Sequence, residues 1–175
     1  MFGKLSIIGC GLIGSSILRA AQEKKLASKI SVYDKSNKVI EYLKKNFTAD
    51  ICSNVSETTK DSDLNIISAP LSSYKEILLS IKSTLKEGSI LTDTGSAKTE
   101  VNKIVNNLGL KNISWIASHP IAGTEYSGPA AGFSNLFKNR WCILSADNQV
   151  AKDKIENLEK FWSKLGSKVK IMSFE

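Results

Sequence analysis

The stretch Ile7-Ile8-Gly9-Cys10-Gly11-Leu12-Ile13-Gly14 decides the fold of this 175-residue chain. Before it, Lys4–Ile8 is a short apolar run that reads as a strand. After it, Leu12–Lys24 carries apolar residues at helical spacing. Three glycines at G-x-G-x-x-G spacing are a weak signal alone. Here a second strand, Lys29–Tyr33, follows at the right distance and ends at Asp34, twenty positions past Gly14. That context describes a dinucleotide-binding turn. Gly9 allows the tight turn, Gly11 lets a pyrophosphate approach the backbone, and Gly14 lets helix and sheet pack closely. Leu12 and Ile13 open the helix, whose free N–H groups and partial positive charge suit phosphates. The Asp34 carboxylate accepts from adenosine ribose hydroxyls and repels a 2′-phosphate. This favours NAD over NADP, although Lys35 beside it pulls the other way.

Outward from this motif, strand-like and helix-like segments alternate. Ser36–Lys45 reads as a helix and Ala49–Cys52 as a third strand. Leu64–Ser68 is a buried strand, Ser73–Leu85 a helix, Ser89–Thr92 a strand, Ala97–Leu108 a helix and Ser114–Ala117 a strand. Trp141–Ser145 is another strand. Val150–Leu165 is a helix with Ile155, Leu158, Phe161, Trp162 and Leu165 on one face, and Lys168–Met172 closes as a strand. Strands separated by helix-length segments need crossover connections. The expected fold is therefore α/β: a Rossmann-type, doubly wound, mostly parallel sheet with helices on both faces, in one domain over residues 1–175. Residues 121–140 break the pattern. They are rich in glycine and small residues, as in a functional loop with a short helix.

Composition narrows the partners. The chain is 42% hydrophobic and 23% charged, as in a globular protein. No apolar run reaches the ~18 residues of a membrane span, and the N-terminus lacks the pattern of a signal peptide. The net charge of +7 comes from scattered lysines, with Arg19 and Arg140 the only arginines. A nucleic-acid surface would cluster its basic groups with arginine and aromatics, so neither nucleic acid nor membrane is expected as a partner. Cys10, Cys52 and Cys142 are too widely spaced for a disulfide framework or a zinc site. They read as small buried hydrophobes of a reducing cytoplasm, and no metal is expected.

Three further strand ends fall on the edge that carries the glycine turn. Ser68-Ala69-Pro70 ends one strand, and Pro70 would border the cofactor. Thr92-Asp93-Thr94-Gly95-Ser96-Ala97-Lys98 ends the next and starts a helix; alone, its Asp-Thr-Gly-Ser reads as an N-cap. The single histidine, His119, follows Trp115-Ile116-Ala117 in the run Ser118-His119-Pro120-Ile121-Ala122-Gly123-Thr124-Glu125. It is expected on a rigid turn after that strand. Arg19 reads as solvated or phosphate-adjacent, and Arg140 has no motif to assign it.

Taken together, the stretches Ile7–Ser16, Thr92–Lys98 and Ser118–Glu125, with Ser127-Gly128 after them, resemble the prephenate dehydrogenase family, which includes arogenate and cyclohexadienyl dehydrogenases. The first stretch is shared by many dehydrogenases, and the last is highly specific. The resemblance covers essentially the whole chain and corresponds to the nucleotide-binding domain only. It implies NAD(P)-dependent oxidation of prephenate or arogenate with loss of carbon dioxide, in tyrosine biosynthesis. It implies His119 as the general base for the ring C4 hydroxyl, Ser96 as the residue holding hydroxyl, His119 and nicotinamide in register, and Thr124 and Glu125 on the substrate side. The family continues into a helical domain that forms most of a homodimer contact and supplies an arginine for a substrate carboxylate; this chain is expected to lack that domain and to show an apolar patch near Phe174 where it would dock. Two rival readings stand beside this one. One is another NAD-dependent hydroxy-acid dehydrogenase, in which the His-Pro-Ile-Ala-Gly-Thr-Glu run has no assigned role. The other is a catalytically silent nucleotide-binding module acting with a partner.

Overall fold

Side-chain alternation along the strands builds two hydrophobic layers, one on each face of a single sheet. Leu5, Ile7, Leu64, Ile66, Ile90 and Ile116 enter one layer. Their sequence neighbours Ile8, Ile67, Leu91, Trp115 and Ala117 enter the other. The structure, a computed structural model, describes residues 2–174. Its strands are β1 (Phe2–Ile8), β2 (Ala27–Tyr33), β3 (Asp50–Ile51), β4 (Leu64–Ile67), β5 (Ile90–Asp93), β6 (Ser114–Pro120), β7 (Trp141–Ala146) and β8 (Lys168–Ile171). Its helices are α1 (Leu12–Glu23), α2 (Asn37–Asn46), α3 (Val55–Thr59), α4 (Tyr74–Ile81), α5 (Lys98–Leu108) and α6 (Lys152–Leu165).

The strand order is β3-β2-β1-β4-β5-β6-β7-β8. The chain runs outward from β1 to β3, then crosses back to lay β4 against the other side of β1. That reversal opens a crevice at the carboxyl ends of β1 and β4, where such sheets take their ligands. All pairings are parallel except β6 with β7. α1 and α6 supply Ile17, Leu18, Leu158, Phe161, Trp162 and Leu165 to the first layer. α4 and α5 supply Tyr74, Leu78, Val101 and Val105 to the second. The expected fold is thus the observed one, with helices on both faces. Phe174 packs against the second layer, while Ile171 and Met172 beside it are 48% and 49% exposed.

Several boundaries differ from the sequence reading, each for a local reason. β6 continues to Pro120, so His119 sits inside a strand and not on a turn after it. The antiparallel partner β7 extends the ladder, with His119 opposite Ile143. α4 stops at Ile81, because the Thr84 hydroxyl and the Thr84 and Leu85 amides all turn back to the Ile81 carbonyl. α3 was not foreseen, yet its signal is a side-chain cap. Asn54 accepts from the Glu57 amide at 2.9 Å, and Glu57 accepts from the Ser53 amide at 3.1 Å. A short 3-10 turn at Pro129–Ala131 supplies the expected helical piece in the long connection.

Candidate active site

The turn after β1 is held by β2. The Gly9 amide donates to the Tyr33 carbonyl at 2.8 Å, and the Cys10 amide donates to Asp34 Oδ2 at 2.8 Å. The other Asp34 oxygen accepts from the Ser36 amide at 2.9 Å. Asp34 therefore fixes the turn as well as standing at the rim of the cleft. Gly9 adopts φ +90°, a conformation that side chains rarely take, and a Cβ on Gly14 would lie 2.0 Å from the Gly9 carbonyl oxygen. A Cβ on Gly11, by contrast, meets none of the described atoms within 4 Å. Two glycines are needed for packing, and the third faces open space.

That space is a cleft of about 560 Å³. Gly9, Gly11, Leu12, Ile13, Asp34 and Pro70 all line it, and Gly14 supports it from beneath. Val55 and Ile77 form an apolar wall, and Thr94 and Gly95 reach it from the end of β5. No side chain among the described residues caps α1, and its first turn carries no acidic group. Its amides are left for an anionic ligand. The residues fit the pyrophosphate and ribose of a dinucleotide: an open glycine, a free helix end and a carboxylate on one wall.

Neighbouring strand ends are tied to one another. The Ser68 amide donates to Ile8 O, the Thr94 amide to Ile67 O, and the Thr94 hydroxyl to Ser68 Oγ at 3.1 Å. His119 opens into a separate hollow of about 370 Å³ with Pro120, Ile121, Ala122, Gly123 and Arg140. Burial, and then the Lys98 ammonium, hold its pKa below the ordinary imidazole value, with Asp93 opposing. The ring is neutral at pH 7 and able to accept a proton.

Other predicted residues stand less close. Ser96 is exposed on the turn before α5, lining neither space. Thr124 and Glu125 are exposed beyond the hollow; the Thr124 hydroxyl accepts from the Tyr126 amide at 3.2 Å. Asp93 is no helix cap: α5 is capped at Ala97 without a side-chain bond. The Asp93 carboxylate is buried and takes Lys98 Nζ at 2.6 Å on each oxygen. Sequence reading missed this pair because the Asp-Thr-Gly-Ser spacing by itself suggests only a cap, and nothing local shows the Asp93 carboxylate turned inward to Lys98. Arg19 is half-buried and engaged by neighbours. Its guanidinium lies 4.8 Å from the Phe47 ring centroid and donates to Tyr42 Oη and the Pro129 carbonyl. It clamps the 129–131 turn to α1 and α2. All three cysteines are free and buried.

Comparison with known proteins places the whole arrangement. Residues 17–171 match the family described as prephenate dehydrogenase, nucleotide-binding domain. The chain is 32% identical over 176 residues to the cyclohexadienyl dehydrogenase of Zymomonas mobilis, an alignment covering 100% of this chain and 60% of that protein. The crystal structure of prephenate dehydrogenase from Aquifex aeolicus superposes with a TM-score of 0.85 at 26% identity, covering 99% of this chain and 62% of that one. The same enzyme, solved with hydroxyphenyl propionate and NAD+, superposes with a TM-score of 0.81 at 22% identity, over 99% of this chain and 61% of that one. The chain thus spans about 60% of the length of these relatives.

Proposed function

This chain belongs to the prephenate dehydrogenase family, as its nucleotide-binding domain, and from that premise we propose that it binds NAD and serves the oxidative decarboxylation of prephenate or arogenate in tyrosine biosynthesis. The observation that carries the reading is the occurrence, on one sheet edge, of the glycine-turn cleft and the hollow that half-buried His119 lines. Gly9, Gly11, Leu12, Ile13 and Gly14 would seat the pyrophosphate, Asp34 the adenosine ribose, and Pro70 the adjoining wall. The relative from Aquifex aeolicus is solved with NAD+, which supports the same ligand here.

NAD supplies, when bound, the acceptor for the hydride that leaves ring C4. His119 would hold the C4 hydroxyl and take its proton as the C–H bond breaks. Loss of the C1 carboxylate as carbon dioxide then returns an electron pair to the ring, and His119 gives the proton back to the new phenol oxygen. No net proton is released when prephenate reacts. General-base assistance of this kind contributes about 10²–10⁴ in rate. Ser96 would orient the hydroxyl and the imidazole. Thr124 and Glu125 would border the substrate. The arginine that would grip a substrate carboxylate is assigned to the helical domain, as is most of a homodimer contact; a bidentate guanidinium contact is strong and geometrically specific. Three buried free thiols support a cytoplasmic setting, and residues 1–175 are taken as one domain.

The test is a calorimetric titration of the chain with NAD and NADP, followed by NADH formation from prephenate and from arogenate, with and without an added helical domain. NAD binding by the chain, and turnover only when the helical domain is present, is the expected result. Absence of NAD binding removes the proposal.

A further inference from the structure

We propose that Asp93 is a positioning residue for His119, acting by holding the Lys98 ammonium and the Ser118 backbone beside it. The proposal rests on the reading of His119 as the proton-accepting group and adds the machinery that keeps it so.

Asp93 ends β5 with no exposed surface. Its carboxylate collects four donors from separate parts of the chain. Lys98 Nζ, on the first residue of α5, lies 2.6 Å from both oxygens. The Ser118 amide donates to Oδ1 at 3.2 Å, and the Gly95 amide to Oδ2 at 3.1 Å. The Tyr74 hydroxyl, from α4, donates to Oδ2 at 3.2 Å. One side chain therefore joins the turn that carries Ser96 to the strand that carries His119.

Ser118, the residue before His119, is held from its side chain as well. Its hydroxyl shares a 2.6 Å hydrogen bond with Thr92 Oγ1 and accepts from Trp162 Nε1 at 3.1 Å. With the backbone bonded to Asp93 and the side chain to Thr92 and Trp162, β6 has little freedom one residue before the imidazole.

The needs of the helix do not explain the pair. A cation at a helix N-terminus meets the positive end of the macrodipole, so Lys98 is unfavourable in the first turn of α5 without a counter-charge. A buried ion pair is itself weak evidence for stability, since desolvation offsets its attraction. What the pair gives is an ammonium fixed on the same carboxylate oxygen, Asp93 Oδ1, that holds the Ser118 amide one residue before His119. The ionisable groups that act on the imidazole are Lys98 from α5 and Asp93 from β5; Cys142 of β7 stands opposite Pro120, and Arg140, just before β7, lines the same hollow. Burial pushes the Cys142 thiol far above its ordinary range, so it stays neutral. After burial itself, Lys98 lowers the proton affinity of His119 more than Asp93 raises it. Burial raises the Asp93 pKa and lowers that of Lys98, each partner and the Ser118 and Gly95 amides oppose those shifts, and Asp93 holds Lys98 in place.

His119 is the only histidine, so its ring C–H signal reports one group in an NMR pH titration of the chain as it stands, without any turnover. The double variant Asp93→Asn/Lys98→Met removes the pair and leaves no buried charge. It should raise the His119 midpoint, because Lys98 opposes protonation of the imidazole more than Asp93 favours it. Asp93→Asn alone, which leaves Lys98 unopposed, should move it the other way. Lys98→Arg keeps the charge and should restore the parental midpoint. NAD affinity should stay near parental in Lys98→Arg, which leaves the Asp93 bond to the Gly95 amide intact. Should Asp93→Asn not fold, the double variant decides alone. A folded double variant that titrates at the parental midpoint overturns the proposal. The failure of the base reading is a separate outcome: midpoints that move as stated, beside a His119→Asn enzyme with parental turnover in a form carrying the helical domain, would leave the pair's effect on the imidazole intact and remove its catalytic purpose.

Discussion

Gly14 and Gly11 belong to one motif, yet adding the same methyl group at each should do opposite things. A Cβ on Gly14 falls 2.0 Å from the Gly9 carbonyl oxygen and 3.4 Å from Ser68 Cβ. Ordinary contact begins near 3.4 Å, so α1 must withdraw from β1 by about 1.4 Å or the turn must break. The obstacle is backbone, with no flexible tip to swing aside. Overpacking of this kind costs about 1–3 kcal/mol, occasionally more. With urea slopes of roughly 1–3 kcal/mol per molar, the unfolding midpoint of Gly14→Ala should fall by about 1 M. Gly11→Ala adds its methyl to open space at a φ of −70°. It should lose only the small advantage of glycine over alanine at an N-cap, under about 1 kcal/mol. Its NAD affinity should drop about tenfold or more, because the methyl stands where phosphate approaches; tenfold is about 1.4 kcal/mol. Urea unfolding and calorimetric titration of both variants separate stability from binding. If Gly14→Ala unfolds at the parental urea concentration, or Gly11→Ala binds NAD as the parent does, the division of labour among these glycines is refuted.

Other perturbations probe the remaining parts. Asp34→Ala should narrow the preference for NAD over NADP and loosen the turn, since both oxygens hold backbone amides; stronger NADP than NAD binding by the parent would sink the assignment. In a form carrying the helical domain, His119→Asn should leave NAD affinity unchanged and lower turnover by ~10²–10⁴. The neutral imidazole is the active form and its pKa is lowered. Parental activity should therefore rise with pH along a limb below the ordinary value near 6.5, and the Asn variant should lose that limb in steady-state kinetics. Arg19→Ala forfeits the stacking on Phe47 and the bonds to Tyr42 and Pro129. It should cost about 1–2 kcal/mol in urea unfolding, and amide exchange should quicken at residues 130–133.

Fold and cleft were legible because local rules dominate there. Glycine spacing, the Asp34 offset and apolar periodicity each act within a few residues, and β1, α1, β2 and the face of α6 lie where those signals put them. What escaped the sequence depends on partners distant in the chain. β6 runs through His119 only because β7, more than twenty residues later, pairs with it. Arg19 reads as a surface cation until Phe47, Tyr42 and Pro129 converge on it. Asp93 has the local look of a cap, and only the fold brings Lys98, Ser118 and Tyr74 around it. The sequence places His119 at the carboxyl edge of the sheet, while its proton affinity is shifted by burial first and then by Lys98 on α5 and Asp93 on β5.

The two flanks of the sheet bear on how the molecule behaves in a crowd of its own copies. An open β-edge offers unpaired amides and carbonyls to any passing strand, and long apolar edges seed aggregation. β3, on one flank, is two residues long, too short to template a partner. β8, on the other, reads Lys168-Val169-Lys170-Ile171, with both lysines exposed. Two chains meeting edge to edge at β8 would bring like charges together at strand spacing. Among the described residues the sheet is stubby on one flank and cationic on the other, and both features disfavour edge-to-edge growth.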